Sequence, residues 1–133
     1  MAADARHELQ RALDELVHQP SISAAMVVRR DGLYMVGEGS RLGNEDFFSA
    51  TALALHGSAE SALNAQGQEA LRLIAEVGRD RVLTWSVDAE FVLVLRADAA
   101  QDIGLAMRSA DGATRVILLI LRSGHALGGQ AHA

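Results

Sequence analysis

The chain has no cysteine and no lysine, so all 12 of its basic residues are arginine. Without thiols there is no disulfide, no thiolate metal site and no cysteine nucleophile. Without lysine amines there is no P-loop lysine, no Schiff base and no lysine general base. Clustered cationic surface is lacking as well: the net charge is −5 and the pI near 5.4, which argues against electrostatic binding to nucleic acid or anionic membrane. Proline occurs once and aromatic residues make up only 4% of the chain, so no Pro-rich linker divides it. The longest apolar run, Val116 to Leu121, falls far short of the ~20 residues that span a bilayer. The N-terminus, Met1-Ala2-Ala3-Asp4, lacks the basic and apolar regions of a signal peptide, and a cytoplasmic location is expected.

What is present is apolar content. At 133 residues and 50% hydrophobic, the chain can bury one sizeable core, and a single domain over 1–123 with a disordered tail over 124–133 is expected. Leu9, Leu13, Leu16 and Val17 recur at helical spacing before Pro20, which stops a first helix. Ile22 to Val28 is apolar on both alternating faces and reads as a central strand covered on both sides. Asp31-Gly32 then turns the chain into a partner strand, Leu33 to Val36, followed by a Gly-rich loop from Gly37 to Gly43.

Asn44, Glu45 and Asp46 cap a second helix expected to run to Gly67, with Phe48, Ala52, Leu55, Ala59 and Ala62 on one stripe. Only Glu60 is charged between Ser49 and Ala65, so one face of this helix could cover a sheet while another meets a second helix. Three strands follow, Ala70 to Val77, Val82 to Val87 and Phe91 to Leu95, of which the last is apolar on both faces and the first looks peripheral. Asp98 and Gln101 have the spacing of a capping box for a last helix carrying Ile103, Met107, Ala110, Ile117 and Leu121. Asp111-Gly112 leaves open whether that element is one helix or is broken, with Arg115 to Leu121 as a strand.

Chemistry is hard to find. His7, His18, His56, His125 and His132 show no metal-ligand spacing and read as solvated or helix-end residues. Gly37, Gly39 and Gly43 are one residue too widely spaced for a dinucleotide fingerprint, and no nucleophile elbow occurs. The carboxylates read as solvated surface, and Trp85 as packing on the fourth strand. No catalytic residue, cofactor site or metal site is therefore assigned.

The order α-β-β-α-β-β-β-α resembles the roadblock/LC7 family, and specifically its bacterial Mgl-type members. The Asp31-Gly32 hairpin, the Ala-rich middle helix, the three-strand meander and Ile103-Gly104-Leu105 opening the last helix carry the likeness, which covers roughly Asp4 to Leu121. Where the family shows Pro-Gly-Val-x-Gly entering the first strand, this chain keeps only Pro20. The resemblance implies an α+β fold: a five-stranded antiparallel sheet of order 2-1-5-4-3, the middle helix on one face, and the first and last helices on the other. That order agrees with the first and fifth strands being apolar on both faces.

It also leaves the third strand as an unprotected edge. In the family two such edges pair across a two-fold axis while the middle helices pack together. The implied homodimer interface is Leu55, Ala59, Ala62, Leu71, Leu73, Ala75 and Val77. The implied function is a non-catalytic adaptor or scaffold that regulates a Ras-like small GTPase. An alternative is a small-ligand sensor of PAS-like or GAF-like architecture, which would need a closed pocket.

Overall fold

A computed structural model describes residues 3–32, 35–39, 45–64 and 71–132. Helix α1, Ala3–Val17, buries Leu9 and Leu13 completely and Ala5 and Leu16 nearly so, as its periodicity requires. It closes at Gln19, whose N–H reaches the carbonyl of Leu16 just before Pro20. Strand β1, Ile22–Arg29, then runs through the core, with only Ser23 exposed. Its turn needs Gly32, whose φ of +78° suits a residue without Cβ. The Arg29 guanidinium closes on the Asp31 carboxylate across the same turn.

Strand β2 spans Met35–Gly39 and pairs antiparallel with β1, placing Met26 opposite Gly37 and Ala24 opposite Gly39. The expected strand over Leu33–Val36 therefore sits further along, and Gly37 and Gly39 belong to a strand instead of a loop. Pairing with β1 satisfies their backbone groups and overrides the weak strand preference of glycine. Gln10 reinforces this by donating from Nε2 to the carbonyl of Gly37 at 2.8 Å. Leu33, Tyr34 and residues 40–44, including the expected cap Asn44, lie outside the described residues.

Helix α2, Glu45–Ala62, stops short of the expected Gly67. Asn64 adopts the left-handed conformation with φ of 56° and ends it, a role asparagine fills nearly as well as glycine. The meander follows as β3 (Arg72–Val77), β4 (Asp80–Ser86) and β5 (Phe91–Asp98). Asp88 organises the last turn by accepting the N–H groups of Glu90 and Phe91 at 2.8 Å each. The sheet order is β2-β1-β5-β4-β3, all antiparallel, as the resemblance implies.

Helix α3, Ile103–His132, is one continuous helix that passes through Asp111-Gly112 and on across 124–132, where the sequence reads as a tail. An interior glycine costs a helix about 1 kcal/mol. Burial of Ala110 and Ile117 on either side outweighs that cost. Its N-cap is Asp102, which accepts the Gly104 N–H at 2.9 Å, whereas Asp98 caps the preceding turn through Ala100. No helix among the described residues is long and apolar enough to cross a membrane.

The sheet alternates cleanly between two unequal layers. Ala25, Val27, Leu83, Trp85, Leu93 and Leu95 face α1 and α3 in a thick core. Met26, Val28, Val92 and Val94 face the other way, against Ala52 of α2 with Phe48, Leu53 and Val82 at the margin. The β1 and β5 side chains in both layers are essentially inaccessible, which is why both strands lack polar alternation.

Candidate interaction surface

Among the described residues β3 pairs only with β4, so its outer backbone edge has no strand partner there. The register fixes which side chains share a face. Leu73 lies opposite Thr84 and Ala75 opposite Val82, on the α2 side, whereas Arg72 lies opposite Trp85 and Ile74 opposite Leu83, on the α1/α3 side. Leu71, Leu73 and Ala75 thus form a half-buried apolar row on the α2 face, and Arg72, Ile74 and Glu76 an exposed row on the other. Val77 is in the strand; its side chain lies outside the described residues.

The expected stripe on α2 divides in two. The line facing the sheet is Ser49, Ala52, His56 and Glu60, all buried. Leu55 is 44% exposed, Ala62 is exposed and Ala59 is half-buried; helical geometry puts these three on a common flank. Leu53 occupies the opposite flank, and Glu60, on the buried line at that side, is tied to Arg30 at the end of β1. The Leu55 flank is therefore turned away from β1 and toward the β3 edge. Strand row and helix flank together make an apolar ledge with no charged side chain on it among the described residues.

Beneath the ledge lies a polar network that the sequence does not announce. His56 is not a solvated residue: it is 1% exposed, with Nδ1 2.8 Å from Thr84 Oγ1 and Nε2 2.9 Å from Ser86 Oγ. Ser86 Oγ also accepts the Leu71 N–H at 3.3 Å and an Arg30 N–H at 3.4 Å. With both lone pairs engaged, the serine must give its own hydrogen to Nε2. The ring is then the neutral tautomer, protonated on Nδ1 and donating to Thr84. Burial lowers the His56 pKa, Glu60 opposes that shift, and Arg30 adds to it.

Glu60 Oε1 pairs with the Arg30 guanidinium, which also donates to the Asp88 carbonyl at 3.0 Å. Glu60 Oε2 is buried without a hydrogen-bond partner, 3.8 Å from His56 Nε2. This is not a catalytic triad, because serine and carboxylate approach the same ring nitrogen and the carboxylate cannot orient the ring from Nδ1. The network joins α2, β4, the β1–β2 turn and the start of β3.

On the opposite face of β3, Trp85 is 3% exposed and donates its indole N–H to Asp111 at 2.8 Å. Arg72 pairs with the same carboxylate at 2.9 Å and lies over the indole, 5.8 Å from the ring centroid. Asp111, half of the supposed helix breaker, therefore ties α3 to the edge strand.

No family model and no curated protein sequence matches this chain. Solved structures do. The gliding protein MglB of Thermus thermophilus superposes with a TM-score of 0.81 over 92% of this chain and 95% of that one, at 12% identity. MglB of Myxococcus xanthus gives 0.77 over 87% and 96%, at 15% identity. A roadblock/LC7 domain from Streptomyces avermitilis gives 0.73 over 85% and 97%, at 16% identity. The fold is the roadblock/LC7 fold. The likeness covers most of this chain and nearly all of each of those structures.

Proposed function

We propose that this chain forms a homodimer through the β3 edge and the Leu55 flank of α2, and that the paired surface regulates a Ras-like small GTPase in the cytoplasm without contributing a catalytic group. The observation that carries the reading is the ledge: an open strand edge, the row Leu71, Leu73 and Ala75, and Leu55, Ala59 and Ala62 beside it. Edge-to-edge pairing across a two-fold axis completes the backbone hydrogen bonds of both β3 strands and covers both α2 flanks at once. The GTPase comes from the resemblance to Mgl-type roadblock regulators. A regulator of this kind acts by biasing the conformations of the switch elements of its partner.

Two measurements test the two halves separately. Leu73→Lys puts like charges face to face at the seam, and Leu55→Glu does so from an exposed position that leaves folding untouched. Both variants are expected to weaken self-association at least about tenfold by sedimentation velocity. An unchanged association in both rules out this interface. Pull-downs against small GTPases loaded with GDP or a GTP analogue are expected to capture a partner in one nucleotide state, and capture in neither refutes the regulatory role.

A further inference from the structure

The open edge of β3 carries a pattern that fixes how a second strand would meet it. In the β3–β4 ladder Ser86 donates its N–H to the Leu71 carbonyl at 3.0 Å, and the ladder closes at the Gly78-Arg79 turn with Val77 opposite Asp80. An antiparallel ladder alternates bonded and non-bonded pairs, so Leu71, Leu73 and Ala75 commit their backbone groups to β4. The N–H and C=O groups of Arg72, Ile74 and Glu76 therefore point outward, where no other strand among the described residues meets them. The side chains of the same three residues share the α1/α3 face in the order cation, apolar, anion. Ile74 stands at the centre, 37% exposed, with the two charges at equal spacing on either side. Each charge is held from behind, Arg72 by Asp111 of α3 at 2.9 Å and Glu76 by Arg81 of β4 at 3.0 Å, with about half of each side chain still accessible.

We infer that two copies pair their β3 edges in one register only, with the two-fold axis passing through Ile74 and Arg72 of each copy opposite Glu76 of the other. The inference rests on the edge-to-edge dimer proposed above and names the residues that select its register. Centred on Ile74, all three outward residues of each strand find a bonded partner: Ile74 meets Ile74, and Arg72 meets Glu76 at both ends. Centring on Leu73 or Ala75 sets one charge opposite Ile74 and leaves the other beyond the end of the facing strand. Centring on Arg72 or Glu76 sets like charge on like charge. In the favoured register each end of the seam is closed by a row of four charges of alternating sign, Asp111 and Arg72 of one copy followed by Glu76 and Arg81 of the other. The pattern is self-complementary, so this edge selects a second copy of the chain over an unrelated strand.

Because the chain has no cysteine of its own, single cysteines read the register directly. A residue on the two-fold axis faces its own copy across a bonded pair with Cα atoms about 5.5 Å apart, within disulfide reach. One position off the axis that distance grows to about 8 Å, which is out of reach. Ile74→Cys is therefore expected to oxidise to a covalent dimer at least about tenfold faster than Leu73→Cys or Ala75→Cys alone, whereas mixed Leu73→Cys and Ala75→Cys chains cross-link to each other. Arg72→Glu and Glu76→Arg, each checked for native circular dichroism, are expected to lower self-association about tenfold separately and to restore it when mixed, because both ends of the seam then carry unlike charges again. Should either charge variant lose its fold, the cysteine rates decide alone. Preferential self-cross-linking of Leu73→Cys or Ala75→Cys, or folded charge variants that stay apart when mixed, overturns this register and leaves the β3 dimer standing. Cross-linking at none of the three positions removes register and dimer together.

Discussion

At the scale of single residues, buried His56, Glu60 and Thr84 meet in one network. His56 is held neutral because burial disfavours the charged ring, while its two nitrogens are engaged by Thr84 and Ser86. Its pKa is lowered in the folded state, by burial first, so the unfolded chain binds that proton more readily. The stabilisation is complete above the ordinary histidine value near 6.5 and drains away as pH falls from there through the folded-state pKa. Melting temperature should therefore drop between about pH 7.5 and 5. His56→Gln, which cannot be protonated, should flatten that part of the profile; a profile that keeps its slope would place the titrating group elsewhere. Glu60→Gln removes the charge opposite Arg30, a largely buried pair, and should cost about 2 kcal/mol in chemical denaturation, less than for a fully buried pair because Arg30 retains the Asp88 carbonyl and some water.

At the scale of elements, what could be read in advance was whatever depended on local periodicity. The first helix and both doubly apolar strands follow from spacing and alternation, the sheet order from the family resemblance, and all of them stand in the structure. The misreadings share a cause. Gly37 and Gly39 looked like a loop, Asp111-Gly112 like a break and Asp98 like a cap, because the decisive partners are distant in sequence: Met26 and Ala24 across the sheet, Trp85 below the helix, Asp102 taking over the cap. The His56 network was invisible for the same reason, since Thr84, Ser86 and Arg30 come together only when the sheet has formed. The residues expected at an interface, Leu55, Ala59 and Ala62 on α2 and Leu71, Leu73 and Ala75 along β3, are exposed or half-buried. Gly112 offers a direct check on α3. A Cβ there would meet nothing within 4 Å, so Gly112→Ala should raise stability by about 1 kcal/mol through helix propensity. A loss of stability would mean that α3 is not helical through this point.

At the scale of the whole molecule, the sheet is a partition between two unequal halves. One side holds a continuous apolar core from two helices, with Leu9, Leu13, Leu83, Leu93, Leu95 and Ile117 all fully buried. On the other, among the described residues, Met26, Val28, Val92 and Val94 pack around Ala52, and His56 and Glu60 add hydrogen bonds to the sheet side. Such an imbalance sets the order in which the molecule comes apart. Amide deuterium uptake should reach the second helix well before the first helix or the strands that flank the fifth, with protection there rising on self-association. A helix so lightly moored can lift or settle for little energy while the rest of the body stays rigid, which makes it the natural place for a bound neighbour to be felt.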